Sequence, residues 1–169
     1  MSWFDDLRAW QGFFTLLGEA TASFAGLLFV ALAVNSERLR SSEKGHLPLL
    51  ARQTFYNLMV LTTLSLMASV PKTTPDTIGG FVMLGCIGGL LTCYVGIKAE
   101  INARKKNPEA VRLLRAYFGP IFVFVLLLSS AVHMTAAQRD DLQLVGWGAI
   151  MLAVASARNA WLLLNLPAN

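Results

Sequence analysis

The chain contains 169 residues, of which 55% are hydrophobic and only 14% are charged, and its formal net charge is +4. A water-soluble domain carries about 25% charged residues, because its surface must stay hydrated. This composition excludes a soluble enzyme, a nucleic-acid-binding protein and a disordered chain. It predicts an integral membrane protein whose main partner is the lipid bilayer.

The N-terminal segment predicts a short interfacial helix over residues 1–10. Trp3 and Trp10 fall on one helical face, and Asp5 and Asp6 fall mostly on the other. Such a segment lies flat at the membrane surface, with its tryptophans at the level of the lipid headgroups. It serves either as an anchor for the first helix or as a lid or partner-docking element.

Five apolar runs follow, each close to the roughly 20 residues that cross a hydrocarbon core of about 30 Å. The runs are continuously apolar and do not alternate with polar residues, which excludes the strands of a membrane barrel. We therefore predict an all-α fold, a polytopic membrane helical bundle that forms a single transmembrane domain over residues 1–169. The five predicted spans are residues 12–34, 49–70, 78–97, 113–134 and 142–166.

Helix-capping residues separate these runs. Thr74–Pro75 is typical of an N-cap followed by proline at the first helical position, and it precedes the third span. Asn107–Pro108 repeats this pattern before the fourth span, and Asp140–Asp141 can cap the fifth.

The distribution of lysine and arginine predicts the orientation. The loops after the first and third spans are basic, whereas those after the second and fourth hold only Lys72 and Arg139. Because basic loops stay in the cytoplasm, we predict the N-terminus outside and the C-terminus inside. The basic residues behind this prediction are Arg38, Arg40, Lys44, Lys98, Arg104, Lys105, Lys106, Arg112 and Arg115.

Glu19 is the one acidic residue inside the predicted spans. A charge at the bilayer centre costs about 2.5 kcal/mol or more, so such a residue usually faces a partner or a water-filled cavity. We expect Glu19 to point into a helix–helix seam or a pore, because its surroundings are small or hydroxylated. The alternative is a neutral, hydrogen-bonded structural glutamate. The surrounding residues are Thr15, Gly18, Ala22, Ser23 and Gly26.

Further polar residues lie in the outer half of the predicted bilayer. Thr62, Ser130 and His133 are candidates to line a polar path together with Glu19. The alternative for the hydroxyls is a hydrogen bond to their own helix backbone. Cys86 and Cys93 do not combine with histidine in a metal-binding spacing, so no metal and no cofactor are predicted.

Arg158 and Asn159 lie in the fifth predicted span, near its cytoplasmic end. Arg158 is one turn from Trp161, and tryptophan marks the membrane interface. We expect Arg158 to extend toward the cytoplasmic headgroups. The alternative is an arginine that lines an inner vestibule.

The third span carries Gly85 and Gly89, a G-x-x-x-G pattern. Small residues at this spacing let helix backbones approach closely where lipid provides no hydrophobic driving force. The pattern predicts a close-packing or dimerisation face, and part of it can serve a seam between subunits.

Gly18, Ala22 and residues 25–35 of the first helix, followed by Glu37–Arg38, resemble a pattern of small uncharacterised bacterial multi-pass inner-membrane proteins. The resemblance covers about a sixth of the chain, and it implies a bacterial inner-membrane location without implying an activity. No nucleophile, phosphate-binding or metalloprotease motif is present in the sequence, so no enzymatic activity is predicted.

Two functions fit these features. Five helices are too few to enclose a wide pathway, so the first is a homo-oligomeric channel or transporter-like protein for ions or small solutes. The second is an accessory or regulatory subunit that docks on a larger membrane complex. The oligomeric state discriminates between them.

Overall fold

The computed structural model describes residues 3–34, 47–104, 110–136 and 141–164. These residues form five α-helices and contain no strand, which confirms the predicted all-α class. The helices are α1 (Trp3–Val34), α2 (Leu47–Ser69), α3 (Pro75–Arg104), α4 (Ala110–Ala136) and α5 (Leu142–Leu164).

Helices α2 to α5 form a four-helix ring. In this ring α3 packs against α2 and α4, and α5 packs against α4 and α2. Helix α1 lies outside the ring, mainly against α2 and with a smaller contact to α5. Only 17% of the most apolar window of α1 is buried, compared with 39% for those of α3 and α4. One side of α1 therefore faces away from the rest of the described chain.

The helices run antiparallel, so their termini lie at two opposite ends of the bundle. The tryptophan end contains the start of α1, the α2–α3 turn and the start of α5. There Trp3 donates a hydrogen bond of 2.7 Å from Nε1 to the Thr73 carbonyl, and the Trp10 ring packs on Gly146. The basic end contains the C-termini of α1, α3 and α5 and the N-termini of α2 and α4. It adjoins the segments in which basic residues concentrate.

Three of the five helices are long and apolar enough to cross a membrane: Trp3–Val34, Pro75–Asn102 and Arg115–Ala136. This finding indicates membrane association. Helices α2 and α5 coincide with predicted spans but do not meet the same criterion. Their hydropathy is lowered by polar residues such as Gln53 and Asn57 in α2 and Arg158 and Asn159 in α5. The prediction of five spans is thus not confirmed.

The predicted interfacial helix is not a separate element. Its residues form the first turns of α1, which continues unbroken to Val34. No proline interrupts the segment, and Leu7 and Phe14 are both buried against the bundle. At 1.5 Å per residue α1 is about 48 Å long, which exceeds the hydrocarbon thickness. Trp3 and Trp10 hold the N-terminal end of α1 against the other helices.

The predicted start of α3 is confirmed. The helix begins at Pro75, and the Thr74 hydroxyl accepts a hydrogen bond of 3.3 Å from the Thr77 N–H. At the start of α5 the Asp141 carbonyl accepts a hydrogen bond of 3.0 Å from the Val145 N–H. The predicted cap at Asn107–Pro108 lies outside the described residues.

Helix α3 continues beyond its predicted end at Ile97 and reaches Arg104. The added residues include alanine, glutamate, lysine and arginine, which all have high helix propensity. This extension places Glu100 within the helix. Glu19 is therefore not the only acidic residue inside the apolar helices.

Candidate functional site

Glu19 lies on the outer surface of the chain. Its neighbours on the same face of α1 are also exposed, and a Cβ added to Gly26 would meet no atom within 4 Å. The expectation that Glu19 enters a seam between helices therefore does not hold within one chain, because α1 turns its opposite side toward α2. The exposed face, which we call the outer α1 face, consists of Thr15, Glu19, Ala22, Ser23 and Gly26.

The seam between α1 and α2 uses other small and hydroxyl residues. A Cβ added to Gly18 would lie 2.9 Å from the Ser65 Cβ, so the two backbones are in close contact there. The hydroxyls of Thr21 and Thr62 are 2.9 Å apart. Thr62 also donates to the Leu58 carbonyl at 2.9 Å, which is the predicted bond to its own helix.

Ser130 and His133 lie at the tryptophan end. The buried Ser130 donates to the Asp141 carbonyl at 3.4 Å, and His133 Nδ1 is 3.1 Å from the Asp141 carboxylate. The His133 side chain is 59% exposed. The residues predicted to line one path therefore occupy three separate places in a single chain: the outer α1 face, the α1–α2 seam and the tryptophan end.

The glycines of α3 serve close packing inside the chain. A Cβ on Gly85 would meet Val60 of α2 at 3.1 Å, and one on Gly89 would overlap the Phe124 ring of α4. Both glycines therefore lie at close helix contacts within the chain, which is the first of the two roles predicted for them.

The strongest candidate site is a set of buried polar side chains in the half of the bundle toward the basic end. Each of its members has at least one polar atom that makes no hydrogen bond in the structure, and none is more than 1% exposed. Buried polar groups are normally paired, so five such residues in a small bundle require an explanation. This set, which we call the basic-end polar site, consists of Gln53 and Asn57 from α2, Glu100 from α3, Tyr117 from α4 and Asn159 from α5.

Glu100 and Tyr117 are neighbours across the α3–α4 contact. The Tyr117 ring packs directly on the backbone of Gly96, one turn before Glu100. Side chains lean toward the N-terminus of their own helix. Because α3 and α4 are antiparallel, Glu100 and Tyr117 lean toward one another. The Glu100 carboxyl group lies within electrostatic range of the Tyr117 hydroxyl, yet neither Glu100 oxygen accepts a hydrogen bond.

Gln53 and Asn57 contribute the α2 side of the site. They lie one turn apart, and Gln53 Nε2 donates to Asn57 Oδ1 at 2.8 Å. This bond leaves Gln53 Oε1 and Asn57 Nδ2 without partners. The pair therefore presents one free acceptor and one free donor inside the ring.

Asn159 is held against α4 by a feature of the α4 backbone. Pro120 lies inside α4 and has no N–H, so the Ala116 carbonyl loses its usual partner four residues later. Asn159 Nδ2 donates to this carbonyl at 3.3 Å, and Arg158 approaches it at 3.4 Å. Arg158 also reaches the Arg115 carbonyl at 3.5 Å. Asn159 is buried, whereas Arg158 is exposed.

Of the five residues of the site, only Asn159 was predicted from the sequence. Glu100 was missed because it follows the apolar run. The spacing of Cys86, Cys93 and Glu100, seven residues apart, could have indicated that Glu100 is buried. Residues at this spacing share a helical face, and all three are buried. Gln53 and Asn57 also had a signal, because two amides one turn apart inside an apolar span favour an inward face.

The described residues contain no group of three or more histidine, cysteine, aspartate or glutamate side chains that could hold a metal ion. Comparison of the chain with protein-family models, curated proteins and solved structures finds no match. The bacterial inner-membrane location implied by the first helix therefore stays a prediction.

Proposed function

We propose that the protein is a homo-oligomeric channel or transporter-like membrane protein for cations. The observation that carries the proposal is the basic-end polar site, in which a glutamate, a tyrosine and three amides are buried with unpartnered polar atoms. Polar and ionisable residues inside membrane helices are costly, and they usually mark ion or substrate pathways. The single carboxylate of the site favours a cation over an anion.

We propose further that all five helices lie in the membrane. Each exposes a large apolar side chain that is more than 60% accessible, and a soluble monomer rarely exposes so much apolar surface. Gln53, Thr54 and Asn57 of α2 are buried, so the low hydropathy of α2 does not oppose a lipid environment. The exposed side chains are Leu27, Leu66, Leu84, Phe122 and Val154.

The homo-oligomer is supported by the outer α1 face. A charged residue facing lipid is unfavourable, and a second copy against this face would cover Glu19. The same face lacks bulky side chains around Gly26, so it can accept a close helix neighbour.

Flux into liposomes tests the transport function. We expect Glu100→Gln to lower cation flux at least tenfold, because the change removes the negative charge while preserving shape. Asp6→Asn at the tryptophan end is the matched control, and it should transport like the wild type. Equal flux from the Glu100→Gln and wild-type proteins would contradict the assigned role of the site.

The accessory-subunit function is the second candidate, and it is favoured by the same outer α1 face if the partner is a different protein. The variant Gly26→Leu separates the two, since a Cβ added at this position meets no other atom within 4 Å. We expect it to convert the oligomer to a monomer in detergent without loss of helicity. A wild-type protein that is already monomeric would favour the accessory role.

A further inference from the structure

We propose that Glu100 is a proton-binding site, which alternates between a carboxylate and a carboxylic acid as the protein works. The inference rests on the proposed transport function, and it names the ion that the basic-end polar site takes. It is argued from the burial of Glu100, the lack of a counter-charge and the packing around it.

The first argument is the missing partner. Glu100 is 1% exposed, and neither of its oxygens accepts a hydrogen bond. Among the described residues no lysine, arginine or histidine forms an ion pair with it. A buried carboxylate without a counter-charge is unfavourable, and binding of one proton removes its charge.

The second argument is the size of the ligand. One carboxylate is neutralised by one positive charge, which disfavours a divalent cation. The Tyr117 ring packs so closely on Gly96 that an added methyl group would overlap it. The tight packing therefore favours a proton over a metal ion, which would need several oxygen ligands around it.

The third argument is the set of groups around Glu100. Tyr117 of α4 offers a hydroxyl that can donate to the carboxylate or accept from the carboxylic acid. Cys93 lies two turns earlier on the same face of α3, and Asn159 of α5 lies beside Ala116. Gln53 and Asn57 of α2 lie farther toward the middle of the bundle, since the adjacent Tyr56 hydroxyl donates to the Gly85 carbonyl of α3 at 3.0 Å.

Arg52 of α2, Lys98 of α3 and Arg115 of α4 are exposed cationic side chains in the half of the bundle toward the basic end. Arg158 of α5 is another. Its guanidinium is directed at the carbonyls of Arg115 and Ala116, and it is exposed. It does not form an ion pair with Glu100. The proton that binds to a Glu100 oxygen leaves as a proton when the carboxylate re-forms, so the cycle needs no other reactant.

Infrared difference spectroscopy tests the proposal in the full-length protein reconstituted into lipid. We expect a pH-dependent carboxylic-acid band that is lost in Glu100→Gln and kept in the control variant Asp6→Asn. Tyr117→Phe should shift the pH midpoint of this band without removing it. Tyr117→Phe also tests the proton-binding role of Glu100 if Glu100→Gln fails to assemble.

A spectrum in which Glu100→Gln retains every pH-dependent carboxyl band of the wild type would overturn the proposal. If Glu100→Gln does not assemble, an unchanged midpoint in Tyr117→Phe would overturn it instead.

The transport function and the proton site can fail separately. If the Glu100 band is present but no protein, wild type or variant, transports cations, the transport function is wrong and the proton site stands. If cations are transported but the Glu100 band is missing, the proton site is wrong and the transport function stands.

Discussion

The Ala116 carbonyl of α4 is a backbone acceptor whose hydrogen bonds come from side chains of another helix. Pro120 removes the N–H that would bond to this carbonyl within α4, and a freed carbonyl inside a membrane bundle has no water to replace the bond. Asn159 and Arg158 of α5 both donate to it. The polar residues of α5 are therefore explained in part by a proline in α4.

This contact changes the interpretation of Arg158. The sequence analysis expected it to extend toward headgroups, with an inner vestibule as the alternative. The side chain is exposed, but its Nη2 is also directed at two carbonyls. A guanidinium offers several donors in a fixed plane, which a lysine ammonium on a flexible stem cannot reproduce.

We expect Arg158→Lys to destabilise the protein by about 0.5–1.5 kcal/mol, the usual contribution of one hydrogen bond. The effect should shrink in a Pro120→Ala background, because the restored N–H then bonds to the Ala116 carbonyl. Denaturant unfolding in detergent measures both, as a double-mutant cycle. A lysine variant as stable as the wild type in both backgrounds would restore the headgroup explanation.

At the scale of the element, α3 is the helix that depends most on glycine. It meets α2 through Gly85, and it meets α4 through Gly89 and Gly96. The aromatic rings of Phe124 and Tyr117 occupy the spaces that side chains at the last two positions would fill. The position of Tyr117 beside Glu100 therefore depends on the absence of a side chain at Gly96.

We expect Gly96→Ala to cost about 1–3 kcal/mol of unfolding free energy, which is typical of overpacking in a filled core. The matched control is Gly80→Ala in the same helix, where an added Cβ meets nothing within 4 Å. The control should be neutral or slightly stabilising, because alanine has the higher helix propensity. Thermal unfolding in detergent compares the two. Equal stability of both variants would show that the Tyr117 ring moves aside at little cost.

At the scale of the whole molecule, the bundle is polar inside near one end and apolar outside. The apolar exterior fits lipid, and the basic segments adjoin the same end as the polar site. The predicted orientation would place this end in the cytoplasm.

Cysteine labelling tests the orientation in intact bacterial cells. A membrane-impermeant thiol reagent should label Gln143→Cys at the tryptophan end and should leave Lys105→Cys unlabelled until the cells are opened. The native Cys86 and Cys93 are both buried, so they should contribute little background. Labelling of position 105 from outside would reverse the predicted topology.

Several features followed from the sequence because they depend on local or averaged properties. The low charge and long apolar runs determined the helical class, since a backbone in lipid must satisfy its hydrogen bonds within each helix. The Thr74–Pro75 pair determined the start of α3, because its capping bonds span only a few residues. The back-bonding of Thr62 was predictable for the same reason.

Only the tertiary structure decided which face of each helix is covered. Helix α1 and its neighbours are apolar on nearly all sides, so periodicity could not distinguish the face toward α2 from the outer α1 face with Glu19. The meeting of Glu100 with Tyr117, and of Asn159 with the Ala116 carbonyl, depends on contacts between residues far apart in the chain. The physical reason is that both the core of such a bundle and a lipid-facing surface are apolar. The sequence alone therefore does not distinguish them, and side-chain packing decides where the few polar groups lie.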